Sequence, residues 1–271
     1  MVRDPREGVT EDGTITTGAD ARRIPAAYRE TIADAVSTLR DTLGELAHSV
    51  YVYGSVATGQ ARPPRSDLDL IVVVETSAPE AVRAAATGLS HRHRDLVREV
   101  AIGSVDLETL RRQDRVGRAE RCFLKHYAVH LAGPDLRADH PTCRATEDLA
   151  CGFNRDLRRV LDQVRPPLLG ADDGDQRAAA AARACRKILM AAATLLSVRE
   201  GGWSTDRRTA VELVGRHAPE LYELAADALR YGEDAPMPVA PDVGRAVEIV
   251  DRLGGWLVDE YARSAVRHDS R

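Results

Sequence analysis

The chain has 271 residues, 44% of them hydrophobic and 30% charged, with a formal net charge of −4 and a pI near 6.1. That is enough chain for one large or two modest domains with their own cores, and the balance argues against a general nucleic-acid binder, which needs a basic face. No apolar run approaches the roughly 20 residues of a membrane span, and the polar start, Met1 to Asp20, has no apolar signal core, so the sequence reads as soluble and cytoplasmic.

Met1 to Ala21 has no hydrophobic period and reads as a flexible N-terminal arm, 1–21. Pro25 suits a first helical turn, and Ile24, Tyr28, Ile32, Val36, Leu39, Leu43 and Leu46 then recur at helical spacing. Ser49 to Tyr53 is β-branched and aromatic, a short strand stopping at Gly54. A short helix or loop, Ser55 to Arg65, leads to a second strand, Asp67 to Glu75, whose run Leu70-Ile71-Val72-Val73-Val74 is the strongest strand signal in the chain. Pro79 to Leu96 reads as a helix and Arg98 to Val105 as a third strand, with Glu99, Ala101 and Gly103 on one face. Asp106 to Tyr127 is helical, and Ala128 to Leu131 is a last short apolar piece.

Beyond Asp139 the strand signals stop. Helices are expected over Thr146 to Val164, ended by Pro166-Pro167, and over Gln176 to Arg199, closed by Gly201-Gly202. Further helices follow over Ser204 to Arg216, capped by Ser204 or Thr205, then Pro219 to Tyr231 and Val243 to Arg263. The fold class is therefore an α/β N-terminal domain, 22–139, with a small mixed sheet and helices, followed by an all-α C-terminal helical domain, 140–271. With aromatics at 4%, both cores must be aliphatic and alanine-rich. Cys122, Cys143, Cys151 and Cys185 form no CxxC pair and read as reduced thiols, neither a disulfide frame nor a zinc site. His91 and His93 sit near a helix end and read as surface residues.

The chemistry concentrates at Asp67-Leu68-Asp69. On a strand, residues two apart face the same side, so both carboxylates point one way and repel. A divalent cation relieves that repulsion, and hard oxygen ligands suit magnesium, which draws the rest of its shell from water and substrate phosphates. A solvated strand start is the competing reading. Gly54 lets the chain turn sharply after the first strand and approach a ligand, while the Ser55 hydroxyl and the N–H groups of the following turn can hold phosphate oxygens. Glu99 reaches the same edge if its strand lies beside the second, as a metal ligand or as a base; Asp106 is the fallback. Arg62 and Arg65, in the loop before the aspartates, can meet phosphate with a guanidinium fork, or stand solvated.

Together, Tyr53-Gly54-Ser55, Ser66-Asp67-Leu68-Asp69-Leu70 and Arg98-Glu99-Val100 resemble the signature of the nucleotidyltransferase superfamily related to DNA polymerase beta. The resemblance implies transfer of a nucleoside monophosphate, AMP from ATP, to a hydroxyl with release of pyrophosphate. It implies two Mg2+ ions held by Asp67, Asp69 and Glu99, with Glu99 also a catalytic base, and a triphosphate held by Ser55 and the backbone at Gly54; Arg65, from the loop reading, is the arginine assigned to the nucleotide beside them. The helical second half, with the strand Arg98-Glu99-Val100-Ala101-Ile102, is similar to the aminoglycoside adenylyltransferases of the streptomycin/spectinomycin type. That similarity implies Lys187, and less directly Arg186 and Arg207, as phosphate-binding cations, and a cationic antibiotic attracted by the acidic stretch containing Asp172 and Asp175. The tryptophan expected in that stretch is missing here; Trp203 and Trp256 lie elsewhere. The partners implied are an NTP and a small hydroxylated acceptor, with no nucleic acid or membrane, on a monomer or homodimer. Another natural product, or a protein modified by an antitoxin-like regulator, is the alternative acceptor.

Overall fold

The computed structural model describes residues 4–170, 173–232 and 242–269. They divide into two units, Thr16–Cys143 and a second made of Met1–Ile15 with Arg144–Arg271. The division thus falls a few residues after the expected 139, and the start of the chain groups with the helical half. Where a loose arm is expected, the chain forms a two-stranded ribbon, β1 (Gly8–Val9) and β2 (Ile15–Thr16). Gly13 O accepts from Ala145 N at 3.0 Å. Glu7, 9% exposed, accepts from Ser204 Oγ (3.2 Å), Thr205 N (3.0 Å) and Thr205 Oγ1 (2.6 Å). Polar partners distant in sequence order this segment, and such bonds leave no hydrophobic period to read.

The α/β unit begins with two 3₁₀ turns, Ala21–Arg23 and Ala26–Tyr28, and then α1 (Arg29–Leu43). There follow β3 (Ala47–Tyr53), α2 (Gly54–Thr58), β4 (Leu68–Val74), α3 (Pro79–Arg92), β5 (Val100–Asp106), α4 (Leu107–Arg111), α5 (Arg115–Tyr127) and β6 (Val129–Ala132). Pro25 precedes a 3₁₀ turn rather than opening α1. The sheet order is β5-β4-β3-β6, with β3 antiparallel to β4 and β6, and β4 parallel to β5. The parallel pair requires a crossover, which α3 supplies.

Alternation assigns the two faces of this sheet. Val52, Leu68, Leu70 and Val100 pack with Tyr28, Ile32, Ala35 and Leu89, and Val50, Val72 and Val74 pack with Leu39, Leu43, Val82 and Ala85. One face is therefore covered by α1 and α3 along its length. On the other, Tyr51, Ile71, Val73 and Val105 pack with Leu107, Leu110 and Leu124 of α4 and α5. Buried on both faces, β4 is apolar from Leu70 to Val74, each such side chain contributing about 1.5–3 kcal/mol. Asp69 lies on the α4–α5 face by the same alternation, while Asp67, expected to open the strand, stands one residue ahead of it; both are half-buried, as is Ala101. The carboxylates stand where this second apolar cover ends.

The helical unit contains α6 (Glu147–Phe153), α7 (Leu157–Gly170), α8 (Gly174–Arg199), α9 (Arg207–His217), α10 (Tyr222–Tyr231), α11 (Val243–Glu248) and α12 (Gly255–Asp269), with π-type bonding over Ile249–Gly254. Three expectations change here. The helix expected over Thr146 to Val164 breaks at Asn154, whose buried side chain turns into the core to meet Thr194 Oγ1 (2.8 Å) and Tyr261 Oη (3.0 Å). Pro166 and Pro167 lie inside α7 instead of ending it. Each forfeits a backbone bond, and the burial of Val164 and Leu168, 2% and 1% exposed, keeps the helix going. Asp206, not Ser204 or Thr205, caps α9, accepting from Thr209 N at 2.8 Å; the two hydroxyl residues are engaged by Glu7.

Candidate active site

Asp69 pairs with Tyr53 across β3–β4 and with Ala101 across β4–β5. The ladder continues one step beyond β5: Leu68 N donates to Glu99 O at 2.9 Å and Arg98 N to Ser66 O at 3.2 Å. Glu99 thus precedes the strand rather than opening it, yet its backbone is in register with Asp67. Asp69 lies on β4, while Asp67 and Glu99 face each other in the chain one residue ahead of β4 and β5. The exposed Arg98 guanidinium donates from Nε to Asp67 Oδ1 at 2.9 Å and from Nη2 to Asp67 Oδ2, offsetting part of the repulsion on this edge.

Gly54 belongs to the same construction. Its φ is +67°, and a Cβ there would run into Asp69 Oδ2 and lie 3.2 Å from Asp69 Cγ. Only glycine takes this backbone without strain, and only a residue without a side chain leaves room for the carboxylate. Ser55 follows, 8% exposed, in the first turn of α2, where the leading N–H groups of a helix have no carbonyl of their own turn to bond.

Tyr53 is the residue that sequence reasoning quoted and gave no role. Burial, and then the nearby Asp69 and Asp67 charges, push its phenol well above the usual tyrosine range. It therefore stays protonated, a neutral wall beside the carboxylates, and its ring meets Phe123 edge-on at 5.0 Å between centroids. The only sequence signal for it is its place before Gly54.

The other expected residues fall elsewhere. Arg62 and Arg65 are exposed in the loop before β4, where Arg62 O accepts from Arg65 N (2.7 Å) and Ser66 N (2.9 Å). Asp106 sits at the opposite end of β5 from Glu99 and caps α4, accepting from Thr109 N at 2.6 Å; those bonds hold its carboxyl below the usual range. The fallback third carboxylate is thus a helix cap. Lys187 lies on α8 in the helical unit, its side chain 11% exposed, with Nζ 2.6 Å from Asp156 Oδ1. Burial holds its ammonium below the usual range against the opposing pull of Asp156. Asp175 is exposed in the first turn of α8, donating its N–H to Asp173 Oδ1 at 2.8 Å. Asp172 lies outside the described residues. His93 is engaged within the α/β unit, Nδ1 with Thr31 Oγ1 at 3.1 Å and Nε2 with Asp34 Oδ2 at 2.7 Å.

The edge suits a hard divalent cation. It offers the Asp69 carboxylate, packed where a Cβ on Gly54 would collide with it, and Asp67 and Glu99 one residue ahead of the parallel strands. Magnesium favours such donors and takes part of its shell from substrate phosphates.

Residues 31–124, from α1 into α5, match the family model of the nucleotidyltransferase domain. The carboxylate edge lies inside the matched span. In fold the chain resembles the aminoglycoside adenylyltransferases. It matches the spectinomycin adenyltransferase AAD(9) from Enterococcus faecialis, solved with ATP and spectinomycin, with a TM-score of 0.55 and 15% identity over 84% of this chain and 98% of that one. No curated protein matches the chain in sequence.

Proposed function

We propose that the protein transfers AMP from ATP to a hydroxyl of a small molecule, releasing pyrophosphate, and that the acceptor is an aminoglycoside-type antibiotic. The observation that supports the reaction is Asp69 packed against Gly54, with Asp67 and Glu99 one residue ahead of the parallel β4–β5 pair. The acceptor class rests on the likeness to a protein solved with ATP and spectinomycin.

Asp67 and Asp69, with Glu99, would hold Mg2+. When bound, two such ions neutralise the phosphates and favour in-line displacement. The first turn of α2 and the Ser55 hydroxyl orient the triphosphate, with Arg65 offering further donors. Glu99 accepts the proton of the attacking hydroxyl on its carboxylate. Tyr53, kept neutral, holds the Asp69 side of the edge without adding charge. The protein's part is mainly positioning and charge placement, which carry most of phosphoryl-transfer catalysis. In the helical unit, Lys187 is the proposed phosphate cation, and Asp172 and Asp175 the proposed attraction for a cationic acceptor.

A pyrophosphate-release screen of hydroxylated antibiotics, with each NTP and Mg2+, tests this reading. Release with ATP and an aminoglycoside or aminocyclitol is expected. Release only with an acceptor of another class would overturn the antibiotic assignment and leave the transfer chemistry standing.

A further inference from the structure

The four cysteines show no motif spacing, yet the fold brings two of them to one histidine. Cys122 and His126 are four residues apart on α5 and so share a helix face. Cys143 reaches the same point from the loop that follows β6. One ligand atom from each of Cys122, His126 and Cys143 lies within 4.8 Å of the other two. Tetrahedral zinc, with bonds of about 2.3 Å to sulfur and 2.0–2.1 Å to nitrogen, needs donors at about this mutual spacing.

The convergence is fixed by more than the chain's path. Cys143 N donates to His126 Nε2 at 2.9 Å, and Thr17 Oγ1 donates to His126 O. Upstream in the same loop, Lys125 Nζ donates to Arg137 O at 2.9 Å and Arg137 Nη1 to Ala128 O at 2.9 Å. His140, also on this loop, has a buried Nε2 that meets no hydrogen-bond partner. The chemistry is soft where the Asp67–Asp69 edge is hard. Two sulfurs and an imidazole converge here, donors that suit a borderline-soft cation.

We propose that Cys122, His126 and Cys143 form a binding site for one thiophilic divalent cation of the zinc class, separate from the nucleotidyltransferase edge. A thiol pair alone would suit a disulfide; the imidazole at the same point is what a borderline-soft cation adds to its requirements. On binding, two metal–sulfur bonds and one metal–nitrogen bond form, and the two thiol protons pass to solvent. The cation takes a lone pair of the His126 imidazole. It ties the loop ending at Cys143 to α5, and because it binds the folded chain it raises thermal stability.

Cobalt(II) titration of the full-length, chelator-stripped, reduced protein tests the site. One equivalent should give thiolate-to-cobalt charge transfer with the intense visible bands of a tetrahedral centre, and zinc should bleach them. Cys143→Ser and His126→Gln should each weaken binding at least tenfold, while Cys151→Ala and Cys185→Ala should leave it unchanged. Cys143 is only half-buried, so its variant keeps the test decisive even if replacement of the buried Cys122 disturbs folding. Absence of the charge-transfer band, an equal band in Cys143→Ser, or a Cys122–Cys143 disulfide with no metal uptake after reduction would each overturn the proposal. None of these readouts depends on transferase activity.

Discussion

Two groups of acids in this molecule are held in opposite ways. Glu7, in the helical unit, is buried and meets three neutral donors from Ser204 and Thr205. Asp67 and Asp69, both half-buried, and the exposed Glu99 lie at one end of the sheet, where the Asp69 and Asp67 charges help a tyrosine retain its proton. Donors built around a single acid fix the chain; acids gathered on one face cost stability unless a cation arrives. The first arrangement serves the fold, and the second is the one proposed to serve chemistry. Mutations should separate them, moving stability in one region and turnover in the other.

The largest effect is expected at the carboxylates. Asp67→Asn or Asp69→Asn should lower pyrophosphate release on the order of 10⁴-fold through lost metal-assisted charge stabilisation, with the melting transition nearly unchanged. Glu99→Gln should lower turnover about 10²–10³-fold while ATP affinity, measured by calorimetry, stays within a few-fold. Gly54→Ala couples the two regions' behaviours. A left-handed alanine costs about 1–2 kcal/mol, and displacement of Asp69 should reduce turnover about 10²-fold, both visible in one variant by denaturant titration and kinetics.

In the helical unit the signature reverses. Tyr261 Oη donates to Ala191 O at 2.8 Å and meets Thr194 Oγ1 and Asn154 Nδ2. Tyr261→Phe should destabilise by about 1–3 kcal/mol because it leaves buried partners unmatched. The smallest effect belongs to Asp34, whose carboxyl is held below 3.8 first by its hydrogen bond to His93 and then by Arg92. A depressed carboxylate contributes stability that is present above its unfolded pKa and lost as pH falls through the folded one. Asp34→Asn should therefore cost about 1 kcal/mol or less at pH 7, given its exposure, and the difference from wild type should fade below about pH 3.8.

Legibility in the sequence followed the same division. Leu70 to Val74 announced a strand because both of its faces are covered, and Asp67 and Asp69 stood out because that cover ends there. Glu99 could be joined to them only through the assumption that its strand lies beside β4, which the parallel register supplies. The strain at Gly54 was readable as a turn, though its fit against Asp69 depends on a contact between strands. What hydrophobic period cannot carry stayed hidden. Glu7 finds donors nearly two hundred residues away, Asn154 breaks a helix by turning into the core, and Cys143 meets α5 through a loop. Asp106 is the fallback acid in the linear chain, and its place at the far end of β5, capping α4, sets it apart from Glu99.

The most direct measurement follows ATP labelled in its α-phosphate, with Mg2+ and a panel of aminoglycoside and aminocyclitol acceptors, on wild type and Asp69→Asn. Label should appear on an acceptor in step with pyrophosphate in the wild type and be lost in the variant. Transfer at the wild-type rate by Asp69→Asn, or no transfer by the folded wild type to any hydroxylated acceptor, would contradict the assignment of the chemistry to this edge.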